Sequence, residues 1–322
     1  MKNKILKLYT FFFLTIFAFS STFAEKLRIG TLQYGSVNWE LDLIKSLKLD
    51  KKNDIDVQIV RLASKNAAAV ALQGNSVDLI VTDWFWVSRQ RNEKRMFSFI
   101  PHSMAAGGLM VGSDSEINKI EDLKGKKIGI AGGQIDKSWL IFRAYYKKEF
   151  GVDLKNVSEQ IFGAPPLLNK KIEQGSFDAI LTYWPYQARL KSNDFRKVEN
   201  ITEVIKKLGI SSNVPVIGWV FREEWGEKNK VLLKKFVDSS NEAKKLMLNS
   251  DEIWSKVRPS MNINDDETFN NMRQIYREGI PKKFGDLQIE GAGQLFKILS
   301  KIGGKELVGN ANELSEGTFW ID

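Results

Sequence analysis

Short apolar runs rich in β-branched residues alternate along this chain with stretches whose apolar positions recur every three or four residues. Leu27–Thr31 predicts a strand and Trp39–Leu49 a helix. Asp56–Leu62 predicts a second strand, Asn66–Gln73 a helix stopping at Gly74, and Val77–Thr82 a third strand. The pattern then restarts. Lys126–Ala131, Ser158–Phe162 and Asp178–Thr182 read as strands, with helices over Lys137–Phe150 and Pro166–Gln174 between them. Apolar runs this short are those of a parallel sheet covered on both faces, and strand–helix alternation brings right-handed crossovers and a doubly wound sheet.

The halves share a local signature. Gln73-Gly74-Asn75-Ser76-Val77-Asp78-Leu79-Ile80-Val81-Thr82-Asp83-Trp84 resembles Gln174-Gly175-Ser176-Phe177-Asp178-Ala179-Ile180-Leu181-Thr182-Tyr183-Trp184. Each is a helix end capped at Gln-Gly, then a strand opening on Asp and ending Thr-x-Trp. The fold class expected is α/β: two doubly wound lobes joined by two crossing segments, with a ligand cleft between them. The crossings are expected at the glycine- or proline-flanked apolar runs Gly107–Gly112 and Val214–Phe221. Lobe 1 then takes 25–106 and 222–322, and lobe 2 takes 107–221 with both crossings. The tail Trp225–Asp322 reads as helical (Leu232, Phe236, Ala243, Met247), with breaks at Pro259 and Pro281.

Before the first strand, Lys2, Lys4 and Lys7 lead into the apolar run Leu8–Phe19, and Thr22-Phe23-Ala24 offers a cleavage site. This is the pattern of a cleavable export signal over 1–24, shorter than the about 20 residues that cross a bilayer. The chain has no cysteine, which removes disulfides, thiolate chemistry and a lipid-anchored N-terminus. A soluble, unanchored protein of the periplasm is the expectation. The net charge is +9, but lysines are interspersed with acids, as over Val231–Asn249, and the pairs Lys147-Lys148, Lys170-Lys171 and Lys234-Lys235 are isolated. A nucleic-acid groove takes clustered bases with interleaved aromatics, so no nucleic-acid partner is expected, and the protein is taken to be a monomer.

Two segments carry a resemblance. Arg28-Ile29-Gly30-Thr31-Leu32-Gln33-Tyr34-Gly35 resembles the opening of the type II periplasmic solute-binding proteins that include taurine-, alkanesulfonate-, nitrate- and thiamine-pyrimidine-binding members. Glu121-Asp122-Leu123-Lys124-Gly125-Lys126-Lys127-Ile128-Gly129 resembles that family's entry to its second lobe. The resemblance covers essentially all of the chain after the signal. It implies capture of a small solute between closing lobes and delivery to an inner-membrane ABC permease with its cytoplasmic ATPase. No cofactor, metal or catalysis is implied.

In open α/β sheets ligands lie beyond the carboxyl ends of the strands, near helix N-termini. In the first lobe that rule selects Gln33, Tyr34 and Trp39, then Ser64, Lys65 and Asn66, then Asp83, Trp84 and Trp86. In the second it selects Gly132, Gly133, Gln134, Asp136, Lys137, Ser138 and Trp139, then Tyr183, Trp184 and Tyr186. The aromatics after the two equivalent strands suit an organic ligand held from both sides, and otherwise belong to the core. Gly132-Gly133 before a helix either presents N–H groups to an anion, with Lys137 and Ser138 assisting, or makes a tight turn. Asp83 either pairs with a ligand ammonium or N–H, or caps a helix. His102, the single histidine, is read as loop structure.

These groups, with the resemblance, favour taurine or a related sulfonate: an ammonium near Asp83 and the aromatic faces, a sulfonate at the helix N-terminus. The alternative is an aminopyrimidine stacked between Trp84 and Trp184. A thiamine-pyrimidine synthase of the same fold is disfavoured, because those enzymes, by the same resemblance, depend on a cysteine-rich segment and a histidine. A regulatory effector domain and an exported interaction protein are the remaining alternatives.

Overall fold

The computed structural model describes residues 24–211 and 213–321; apart from Ala24, the expected export signal lies outside them. The chain opens with β1 (Glu25–Leu32), α1 (Val37–Ser46), the short α2 (Leu49–Lys52), β2 (Ile55–Leu62), α3 (Lys65–Gln73), β3 (Leu79–Asp83), α4 (Trp84–Asn92) and β4 (Phe97–Ser103). A second set follows: β5 (Gly108–Gly112), β6 (Lys127–Ala131), α5 (Lys137–Phe150), β7 (Glu159–Gly163), α6 (Pro165–Glu173), β8 (Ala179–Thr182), α7 (Trp184–Lys191), β9 (Phe195–Asn200) and α8 (Ile201–Lys207). The chain ends with β10 (Ile217–Arg222), α9 (Glu223–Lys228), α10 (Lys230–Asn249), α11 (Asp251–Met261), α12 (Asp266–Glu278) and α13 (Asp286–Val308).

The strands form two five-stranded sheets of matching order, β2-β1-β3-β10-β4 and β7-β6-β8-β5-β9. In each, the first three strands are parallel, as the alternation predicts. The fourth runs antiparallel to both neighbours, so the sheets are mixed. Those fourth strands, β5 and β10, occupy the stretches expected to be crossings. An apolar run flanked by glycine reads the same way in a crossing or a central strand, and only the hydrogen-bond ladder tells them apart. Ile217–Phe221 thereby pairs within the first sheet, and the chain passes between sheets at 104–107 and, among the described residues, at 208–211 and 213–216.

The repeated signature has a physical basis. Asp78 Oδ2 accepts the Arg28 N–H at 2.8 Å, and Asp178 Oδ2 accepts the Lys127 N–H at 2.7 Å. Each aspartate thus receives a backbone amide of the neighbouring parallel strand. The left-handed residues at the preceding turns are Asn75 (φ 58°) and Gly175 (φ 71°), so Asn75 rather than Gly74 is the counterpart of Gly175. Glycine is obligatory at the first crossing, where a Cβ on Gly107 would run into the Thr182 carbonyl.

Helices α10–α12 of the tail pack back on the first sheet, where Trp219 and Phe221 of β10 share a core with Phe236, Met247, Trp254 and Met272, while α13 lies against both α4 and, in the second lobe, α5. Pro281 falls at the break between α12 and α13, but Pro259 sits in the last turn of α11, which ends at left-handed Asn262 (φ 52°). Beyond α13 the chain is not helical, and Phe319 bridges to Phe99 on β4. Among the described residues no helix is long and apolar enough to cross a membrane.

Candidate functional site

The carboxyl ends of β3, β6 and β8, with the helix starts that follow, bring charged groups of the two lobes into contact. Asp83 closes β3 and caps α4, its Oδ1 accepting the Trp86 N–H at 3.0 Å. Its Oδ2 lies 2.7 Å from Lys137 Nζ, the first residue of α5 in the other lobe; the two side chains are 8% and 19% exposed. Burial opposes ionisation of Asp83. The charges of Lys137 and Lys65, with hydrogen bonds from Lys137 Nζ and the Trp86 amide, outweigh it and hold the carboxyl below the ordinary aspartate range. Both expected roles of Asp83 are therefore present at once: it caps a helix and meets a cation.

Around this pair stand further expected residues. Lys65, at the start of α3, places its ammonium 5.5 Å from the centre of the Tyr183 ring. The Tyr183 hydroxyl donates to Asp136 Oδ2 at 3.0 Å, and burial first, then Asp136, raise its pKa so that it stays a donor. Tyr34, 46% exposed, is close enough to both Tyr183 and Tyr186 to act on their ionisation. Gln33, Gly133 and Gln134 are exposed on the flanking loops, and Asn66 is exposed in the first turn of α3.

Several expectations need correction. The α5 N-terminus is not vacant: Asp136 caps it, its Oδ1 accepting the Ser138 N–H at 3.0 Å. Gly132 (φ 101°) makes the turn that admits this arrangement, and a Cβ there would lie 2.9 Å from the Tyr183 hydroxyl. The chain's own carboxylate thus fills the slot proposed for an anion, while Lys137 is turned to Asp83. Trp84 is 0% exposed, stacks on Phe85 at 3.9 Å and donates from Nε1 to the Pro215 carbonyl at 2.8 Å. It is a core residue that pins the second crossing. Trp86 is half-buried against Phe97, and Trp139 is buried in the same core as Trp84.

Trp184 and Trp39 are buried too, but against one another. Their rings meet edge to face at 5.6 Å, and Tyr276 of α12 lies 6.4 Å from each. The second lobe therefore seats a tryptophan in an aromatic box on the first. The strand-end rule missed Tyr276, which arrives from a tail helix remote in sequence. It also missed Arg189 on α7, which donates to the Met261 and Asn262 carbonyls at 2.8 and 3.1 Å and links the lobes again.

Behind Trp39 lies a second ionic centre. Glu40, wholly buried, accepts from the Ser240 hydroxyl at 2.6 Å and the Tyr276 hydroxyl at 3.0 Å, with Lys244 Nζ at 3.6 Å. Burial works against its charge; Lys244, His102 and the two hydroxyls reverse the balance and hold it ionised. His102 Nδ1 lies 3.8 Å from Glu40 and has no hydrogen-bond partner. Burial and then Lys244 depress its pKa to about 3, so this ring is neutral and structural. Among the described residues no cluster of His, Cys, Asp and Glu could hold a metal ion.

Residues 51–252 match the family model described as NMT1/THI5 like. Among solved structures, the periplasmic aliphatic sulphonate binding protein SsuA from Escherichia coli superposes with TM-score 0.72 at 18% identity, over 92% of this chain and 97% of that one. The alkanesulfonate-binding protein SsuA from Xanthomonas axonopodis pv. citri, bound to MOPS, gives 0.68 at 15% identity, over 92% and 98%. A Candida albicans gene product described as having the generic periplasmic binding protein fold gives 0.59 at 12%, over 86% and 90%. No curated protein sequence matches the chain. At these identities the solved structures establish a shared fold of two α/β lobes.

Proposed function

The chain belongs to the NMT1/THI5-like family, and on that premise we propose that it is the periplasmic solute-binding component of an ATP-driven importer. Its cargo is a small sulfonate, taurine or an alkanesulfonate. The observation that carries this reading is the meeting of Asp83 and Lys137 across the lobes, with Lys65 beside them. Opposite charges supplied by the two lobes are what a solute entering between them has to part. Lys137 and Lys65 supply the cationic face for the anion, in place of the capped α5 N-terminus. Relatives in shape that are named for sulfonate binding support the same class.

Closure rotates the two sheets about the connections from β4 to β5 and from α8 to β10, and the closed form is what the permease receives. The export signal read over 1–24 supports a place in the periplasm. No turnover is expected, since the chain has no cysteine and its one histidine is buried. The aminopyrimidine reading loses its stacking pair, because Trp84 is core and Trp184 faces Trp39.

A thermal-shift and calorimetric screen of the purified protein against sulfonates, amines and pyrimidines tests the reading. The expectation is one-to-one binding of a sulfonate with the solute recovered unchanged. A chemically altered product, or binding of the pyrimidine in place of any sulfonate, overturns it.

A further inference from the structure

We propose that the Asp83–Lys137 ion pair is the specificity element of this site, a placeholder that only a zwitterionic solute replaces at both ends. The inference rests on the solute-capture reading above and narrows its ligand class. The pair spans the two lobes at 2.7 Å, and both members are largely withdrawn from water. A solute entering between the lobes at this point must part the two groups. Each then needs a new partner, because a buried charge left alone costs far more than the pair contributed.

The surroundings set what that partner can be. The second carboxylate oxygen of Asp83 is committed to the Trp86 amide, so only Oδ2 is released. Its acceptor geometry and charge call for an ammonium or a similar N–H cation. Asp136, the other carboxylate nearby, is satisfied by the Ser138 amide and the Tyr183 hydroxyl and needs no cation. On the opposite side Lys137 is freed, and Lys65 makes no ion pair among the described residues; its ammonium rests over the Tyr183 ring. An anionic head therefore finds one or two lysines, and an amine finds Asp83. A plain alkanesulfonate or carboxylate satisfies Lys137 but leaves Asp83 Oδ2 without its partner and sets a second anion beside it. Selectivity for amino-sulfonates or amino-carboxylates over simple anions follows from this single residue.

Asp83→Asn is the informative variant, since asparagine keeps the helix cap and the side-chain volume while removing the charge. The probes are two matched pairs differing only by the amine: taurine with 1-propanesulfonate, and β-alanine with butyrate. Each is titrated calorimetrically into the wild-type protein and the variant, with circular dichroism confirming the fold. The expected result is that wild type prefers the zwitterion of a pair by tenfold or more. Asp83→Asn should reduce that preference at least tenfold, by weakening the zwitterion and strengthening the plain anion. If β-alanine is preferred over butyrate while neither sulfonate binds, the zwitterion rule holds and the sulfonate reading falls. Should plain anions bind wild type as tightly as zwitterions, or the preference survive in Asp83→Asn, the placeholder idea is overturned while solute capture stands. Binding of none of the four overturns both.

Discussion

The Asp83–Lys137 and Glu40–Lys244 contacts are both buried carboxylate–ammonium pairs, yet the first has one member in each lobe and the second lies among elements packed on the first sheet. Glu40 is also held by two hydroxyls, from α10 and α12, so its charge is shared among elements that stay together. Asp83 has one backbone amide of its own helix and a lysine from across the lobe contact. The same pair of residue types is thus a structural strut in one place and a separable contact in the other. What distinguishes them is whether both partners belong to the same lobe.

The largest expected effect is at the strut. Glu40→Ala should lower unfolding free energy by about 3–5 kcal/mol, since it leaves Lys244 buried and unpaired. Denaturant titration checks this, and a loss comparable to that of an exposed ion pair would remove the contrast with Asp83. The equivalent tryptophans sharpen the same contrast. Trp84→Ala deletes a fully buried ring and its bond to Pro215, and should cost about 3–5 kcal/mol. Trp184→Ala should cost less, about 1.5–3 kcal/mol, since what it loses is chiefly an edge-to-face contact with Trp39 across the lobes. Small-angle scattering should show Trp184→Ala, but not Trp84→Ala, expanding the native protein.

Asp83→Asn should be milder in stability, about 1.5–3 kcal/mol at most, on the scale of a hydrogen bond to a charged group. Its signature is lobe separation: a larger radius of gyration with unchanged secondary structure. If its melting point falls as far as that of Glu40→Ala, Asp83 is a strut after all.

The last effect concerns pH and is read in the narrow window just below neutrality. His102 has a folded pKa near 3 against an ordinary value of 6.5, so the unfolded chain binds its proton first as pH falls. The stability of the neutral ring is therefore complete above about pH 6.5 and declines toward pH 3, by about 1.4 kcal/mol per pH unit for one proton. Asp83 and Glu40 have depressed pKa values, and their contributions persist to lower pH before being lost as well. His102→Gln should flatten the wild-type slope between pH 6.5 and 5, where carboxylates are still ionised. Equal slopes in the two proteins would mean His102 is not buried as a neutral base.

Much of this was legible along the chain. Periodicity located β1, β2, β3, β6, β7 and β8 to within two residues and α5 at both ends, because short apolar runs and amphipathic helices carry their own signal. The repeated aspartates, Asp78 and Asp178, marked two similar lobes because each performs the same backbone duty. The strand-end rule also found Lys65, Asp83, Asp136, Lys137 and Tyr183, which do gather between the lobes. It failed for Trp84, since a position in a repeat fixes a backbone site and not which neighbour the side chain meets. Trp84 met Phe85 and the Pro215 crossing; Trp184 met Trp39 across the lobes.

By itself, then, the sequence determined many of the α/β elements, the repeated lobe pattern and the residue types offered at the strand ends, since these depend on local propensity and short-range pattern. Only the tertiary structure decided that β5 and β10 enter the sheets antiparallel, that Asp136 caps α5, and that Lys137 turns to Asp83. It likewise brought Tyr276 and Lys244 from the tail to Glu40 near the start of the chain. Which charge pairs with which is a matter of distance and burial between segments far apart in sequence, and no local pattern encodes it.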